Sequence, residues 1–155
     1  MAIINLLYPR KEITNQIVIN SLADFVNDGT KIILKSGTRY LINNVVQSPY
    51  YFEIPTGGSL NFTAVDLTKA LVYTGTGAMF RGSNFGIVYT TLIIFQAPNG
   101  TFFDLDNAGT WYAISSIYTN AQGAGTVRIS TFTSFFSQLL AILYIKRYSF
   151  KQMLT

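Results

Sequence analysis

From Gly58 to Gly109 the chain alternates short apolar, β-branched and aromatic runs with single Gly, Asn or Thr residues, and no run is followed by a long polar loop. A chain punctuated this closely has no room for helices between its strands. It must turn a corner after each strand, as a sandwich, a barrel or a solenoid does. The runs "ALVYTG", "AMFRG", "GIVYTTLIIF", "TFFDLD", "WYAISSIYTN" and "TVRIS" follow one another across Gly75, Gly77, Gly82, Asn84, Gly86, Asn99-Gly100, Asn107, Gly109, Gly123 and Gly125. Upstream, "KIILK" and "RYLINNVV" read as strands after the Asp28-Gly29 turn, and "YFEIPTGGSLNF" as two strands around a Pro55–Gly58 turn.

Composition supports strand throughout. Phe and Tyr together with Val, Ile and Thr dominate, while Ala, Glu, Lys and Gln, the residues that favour helix, are sparse. The expected class is all-β, and the choice within it lies between two architectures. Asn99-Gly100 fits a hairpin turn of a β-sandwich. The nearly continuous apolar run "TLIIFQ" instead fits strands buried on both sides of a parallel stack, and the one-residue corners suit the coils of a short right-handed parallel β-helix. The β-helix is the expectation and the sandwich the alternative. The division expected is an N-terminal arm or capping segment over residues 1–25, a β-helix domain over 26–130, and an apolar cap or partner-binding tail over 131–155.

"DGTKIILKSGTRYLINNVV", "FEIPTGGSLNFTA" and "GAMFRGSNFGIVYTTLIIFQAPNGTFFDLDN" carry a resemblance. The phrase Gly37-Thr38-Arg39-Tyr40-Leu41-Ile42 and the later Phe80-Arg81-Gly82-Ser83-Asn84 resemble the opening rungs of pectate-lyase-like β-helix proteins. The likeness is greatest to those of bacteriophage tail spikes, fibres and baseplate-associated proteins. It covers roughly residues 26 to 130 and rests on spacing, not on an invariant motif. It implies a homotrimeric, rigid rod or plug in the virion of a tailed phage, made in the host cytoplasm and touching other virion proteins. Some family members bind or cleave host surface polysaccharide, which supplies the alternative function. This chain is shorter than typical spikes.

The residues themselves leave little room for catalysis. There is no cysteine and no histidine, which removes thiolate chemistry, the commonest zinc ligand and the usual general base. No cofactor is implied, and the expectation is that the chain is not an enzyme. Cleaving a polysaccharide takes two carboxylates about 5–9.5 Å apart. Asp104 and Asp106 in "TFFDLDNAG" form the close pair, and strand alternation would turn both outward with Phe103 and Leu105 inward. Bonding to amides of the Asn107–Gly109 turn is the plainer role for them. "DLDNAG" echoes a calcium loop, but Ala108 and Ser115 stand where oxygen ligands belong. Trp111 and Tyr112 are the candidate sugar-stacking platform; a place in the core or at a subunit contact is the competing role. Tyr50, Tyr51 and Phe52 pose the same choice.

Charge is scarce, 12% of residues against 49% hydrophobic, so self-association is expected to cover part of the surface. No acidic residue follows Asp106, while Arg128, Lys146, Arg147 and Lys151 do. Scattered cations without interleaved exposed aromatics read as solvated surface, and no nucleic-acid partner is expected. The segment "FTSFFSQLLAILYIKR" is the most apolar, yet Thr133, Ser134, Ser137 and Gln138 interrupt it and it falls short of the ~20 apolar residues of a membrane span. A membrane-associated role through residues 132–145 is a third reading. The expectation is instead that Phe135, Phe136, Leu139, Leu140 and Ile142 sit at a subunit or partner contact, with a helical cap on the chain itself as the rival.

Overall fold

The computed structural model describes residues 13–84 and 86–128, together with the backbone of two further strands at 136–139 and 142–144. In chain order the strands are β1 (Asn15–Ile19), β2 (Lys31–Ile33), β3 (Thr38–Ile42), β4 (Val45–Ser48), β5 (Tyr51–Ile54), β6 (Ser59–Ala64), β7 (Ala70–Tyr73), β8 (Ala78–Ser83), β9 (Ile87–Thr91), β10 (Ile94–Asp106), β11 (Thr110–Ile114), β12 (Ile117–Val127), β13 (Phe136–Leu139) and β14 (Ile142–Tyr144). The only helical element described is a single 3-10 turn at Leu22–Asp24.

All ladders between these strands are parallel, and none joins strands adjacent in sequence. Parallel pairing needs a crossover before the next strand can come alongside. Here the crossover is made of strand, not helix: the chain passes along two more faces and returns one coil higher. The first face stacks β1-β3-β6-β9-β11-β13. The second is formed by β4, β7, the start of β10, the start of β12 and β14, and the third by β2, β5, β8 and the ends of β10 and β12. The protein is a parallel β-solenoid of about five turns. Parallel pairing excludes the β-sandwich.

Asn99-Gly100 is accordingly no hairpin. It lies inside β10, where the strand bends from the second face to the third, and the Asn99 amide donates to the Thr74 carbonyl at 3.2 Å. A Cβ on Gly100 would stand 2.2 Å from the Gly77 carbonyl oxygen of the coil below, so only glycine lets the two backbones pass. The other corners turn on left-handed residues. Asn84 and Asn107 (φ 55° and 48°) close the third face into the first on successive coils, and the Asn107 amide donates to the Asn84 side-chain oxygen. Asn tolerates this conformation because its short side chain bonds locally.

Strand pairing reaches further than the sequence indicated at both ends. β1, inside the segment expected as an arm, is already a rung paired with β3. β13 and β14 add a rung beyond residue 130, paired with β11 and β12, so these residues of the expected cap are strand and not helix.

The core is a stack of rings. Phe25, Phe52, Phe80 and Phe103 succeed one another with centroids 5.4, 5.7 and 6.1 Å apart, and Phe62, Phe95, Trp111 and Tyr118 fill in beside them. Register puts them there: Phe52, Phe80 and Phe103 are direct ladder partners on successive coils. Burying each ring contributes on the order of 2–3 kcal/mol, with edge-to-face pairs adding to it. Phe25, from the loop after the 3-10 turn, closes the N-terminal end against Tyr40 and Phe52.

Candidate functional site

Strand alternation delivers the acidic pair as expected. Along the end of β10, Phe103 and Leu105 are buried, and Asp104 and Asp106 project outward with side chains more than half exposed. Their partner, however, is not the following turn. Arg128 reaches from one coil on, its Nε donating to Asp106 Oδ1 at 2.9 Å and its Nη2 approaching Asp104 Oδ1 at 3.4 Å. Its pKa is raised, first by the Asp106 hydrogen bond. A guanidinium thus occupies the space between the carboxylates that a hydrolase keeps for substrate or water.

The pair belongs to a longer outward column on the third face. Glu53, Arg81 and Asp104 are register partners on successive coils and alternate in sign. Lys31 Nζ donates to Glu53 Oε2 at 2.7 Å, and this bond raises the lysine pKa. Arg81 lies 3.9 Å over the Tyr51 ring and donates to the Ala78 carbonyl at 2.9 Å and the Tyr73 hydroxyl at 3.2 Å. Every charge in this column is therefore answered within the chain. Beside it lies a shallow groove of about 330 Å³ lined by Glu53, Ile54, Pro55, Thr56, Gly82 and Ser83.

Trp111 and Tyr112 part company. Trp111 is 0% exposed, packed edge-on to Phe80 and Phe103 at 5.0 Å, and its Nε1 donates to the Tyr118 hydroxyl at 2.8 Å. Its ring has no face left for a sugar. Tyr112 points out from the first face, partly exposed, and stacks on Tyr89 at 5.3 Å with the rings 11° from parallel. The aspartates stand on the third face, so the four residues do not converge on one site. Of the earlier aromatic candidates, Phe52 is core while Tyr50 and Tyr51 are half-buried against it.

Two arrangements escaped the sequence. One is a buried polar knot: Thr90 Oγ1 meets the Tyr118 hydroxyl at 2.6 Å and Ser116 Oγ at 3.1 Å, and Ser116 Oγ donates to the Thr90 carbonyl at 2.9 Å. The other is the outward column Arg39–Asn61–Tyr89–Tyr112 on the first face. Neither leaves a local trace, because the members of each come from different coils.

Phe135 and Leu140 lie outside the described residues. Phe136, Leu139 and Ile142 take the register positions above Trp111, Ile114 and Ile117 on the last rung. Among the described residues no three acidic side chains gather as metal ligands, and no helix is long and apolar enough to cross a membrane. No protein family, curated protein or solved structure matches the chain.

Proposed function

We propose that this chain is a structural element: a short, rigid β-solenoid rod that serves as a homotrimeric component of a tailed-phage tail. The observation that carries the structural part of the reading is the ring stack. Phe25, Phe52, Phe80 and Phe103 are in contact from the N-terminal end upward, so each coil is locked to the next by side chains as well as by its ladder. Solenoids built from nearest-neighbour contacts are stiff along their axis and suit spacing and connection. On the third face Lys31 pairs with Glu53, and Arg128 with Asp104 and Asp106, so these charges are engaged inside the chain and not held open for a substrate. The phage assignment and the trimer rest on the resemblance of Gly37–Ile42 and Phe80–Asn84 to tail proteins.

Analytical ultracentrifugation at micromolar concentration tests the assembly. A homotrimer is expected, which deletion of residues 132–155 abolishes while removing from the strand content only the β13–β14 rung; a stable monomer overturns it. Antibody against the purified chain is expected to decorate the tails of phage particles, and absence from purified virions overturns the assignment.

A second reading, host polysaccharide binding or cleavage, is favoured by the groove at Glu53–Ser83 next to Asp104 and Asp106. Depolymerisation of a capsule or lipopolysaccharide that Asp104→Asn abolishes would establish it in place of the structural one.

A further inference from the structure

Eight large apolar side chains are exposed among the described residues, and four of them, Val45, Val65, Leu67 and Leu92, gather where the first face turns into the second. Val65 and Leu67 lie between β6 and β7, Leu92 lies between β9 and β10, and Val45 opens β4 just past the same corner one coil below. The Val65 amide bonds the Ile42 carbonyl of the coil beneath, so the corners stack and the four side chains form a ridge over three coils. Ile94 and Ile117 adjoin it on the second face. They are register partners, partly exposed, and turned outward by alternation with the core residues Phe95 and Tyr118.

The backbone does not account for this ridge. Leu92 holds a left-handed conformation at φ 51°, which strains a leucine, yet the same corner one coil higher is turned by Ser115 at φ 49°. The Leu92 amide bonds the Ile114 carbonyl, which places Ser115 directly above it. The remaining left-handed residues described, glycines aside, are Asn84, Asn107 and Asn120. A polar residue would therefore turn the corner at less cost, and strain kept at an exposed position points to a contact made by the side chain. Leu67 is presented on a fixed turn. Asp66 Oδ1 accepts from the Thr68 amide at 2.8 Å and from the Thr68 hydroxyl, and the Lys69 amide bonds the Asp66 carbonyl at 3.3 Å.

We propose that this ridge is where one copy of the chain packs against another. The proposal rests on the reading that the chain associates with itself, and it names the surface. Charge favours a second copy as the occupant. Asp66 and Lys69 flank Leu67 with opposite signs, so the patch is neutral and can face itself, whereas a partner of a single charge sign would set one of them against its like. Spacing favours it too. The ridge rises by one rung of ~4.8 Å per coil, and another copy offers side chains at the same rise along its whole length. Four side chains exposed by 38 to 51% leave roughly 300 Å² of apolar surface. That is the apolar share of an interface burying about 600 Å² per chain, the lower end for a specific association.

The sequence has no cysteine, so a single engineered thiol reports without background. Full-length chains carrying Leu67→Cys are oxidised at micromolar concentration and analysed by mass. A disulfide between chains is expected, whereas Thr126→Cys, exposed on the third face, should give none. Sedimentation over a concentration series supplies a second measure. Leu92→Asn and Leu67→Asp should each raise the concentration at which half the chains are assembled at least tenfold, with far-ultraviolet circular dichroism unchanged. Val26→Asn makes a comparable change at an apolar residue 67% exposed away from the ridge, and should leave assembly as it was. Assembly that neither ridge variant weakens, with Leu67→Cys unlinked, overturns the proposal and leaves the homotrimer standing on another surface. A chain that stays monomeric throughout overturns both. A monomer that floats with phosphatidylcholine vesicles, and loses this with Leu67→Asp, would assign the ridge to a lipid surface and overturn the proposal.

Discussion

Replacing Phe80 by alanine tests whether the ring stack carries the fold. Phe80 is 0% exposed, with Phe52, Phe62, Phe95, Phe103 and Trp111 at 5.7, 5.9, 5.3, 6.1 and 5.0 Å. These partners come from four successive coils, so one truncation loosens every interface around the middle of the rod. Phe→Ala in a core costs about 3–5 kcal/mol, with the larger values where the surroundings cannot collapse into the cavity. Here β5 and β10 hold the backbone on both sides through parallel ladders, which prevents collapse, and about 4 kcal/mol is expected. That is a large part of the ~5–15 kcal/mol a domain possesses. Phe25 offers the control: it caps one end with two ring partners, Tyr40 at 5.6 Å and Phe52 at 5.4 Å. Phe25→Ala should cost about 2 kcal/mol and fray the first coil alone, as nearest-neighbour stacking implies. Urea unfolding followed by the emission of the single tryptophan, which is fully buried, measures both. A loss below ~1 kcal/mol for Phe80→Ala at unchanged m, or equal losses at the two positions, refutes the argument.

Leu92 turns a corner at φ 51° with its side chain 38% exposed, so Leu92→Asn should raise stability by about 1 kcal/mol in thermal melts, since a left-handed leucine is strained. The Asp28 carboxyl is held down to about 2, from an ordinary 3.8, first by the Thr30 hydroxyl and then by the Thr30 and Lys31 amides. Its folded value lies below its unfolded one, so its stabilisation is present above pH 3.8 and lost as pH falls towards 2; Asp28→Asn should flatten that part of the acid limb. Burial pushes the Tyr118 hydroxyl well above its ordinary 10.0, partly offset by Thr90 and Trp111. The raised folded value means full stabilisation below pH 10 and loss above it, and a Tyr118 phenolate seen by NMR in still-folded protein would contradict this.

The architecture was legible because its causes are local. Single-residue corners such as Asn84 and Asn107, strand formers between them, and alternation at Phe103–Asp106 are each written within a few residues, and the stack follows from repeating them. The ends were not legible. Asn15–Ile19 reads equally as an extended arm or a short strand, and only the ladder to β3 makes it a rung. Asn99-Gly100 misled for the opposite reason. Asn-Gly is a strong hairpin signal by itself, but the glycine there answers a close approach from the Gly77 carbonyl one coil away, which no local pattern encodes.

The surface follows the same logic less visibly, since its partners sit a coil apart. Lys31 finds Glu53 at a separation of 22 residues, Arg128 finds Asp106 at 22 and Asp104 at 24, and Thr90 finds Tyr118 at 28. Unequal coils hide the period, so a reading that looks for clusters along the chain sees isolated charges. Seen a coil apart, Arg128 is no stray cation of a basic end but the counterion of the acidic pair, and Trp111 is a ring held among Phe80, Phe103 and Tyr118. In a solenoid an exposed residue's chemistry is decided by the rungs above and below it. A charge whose partner on the next coil is missing is therefore a better pointer to function than a cluster along one strand.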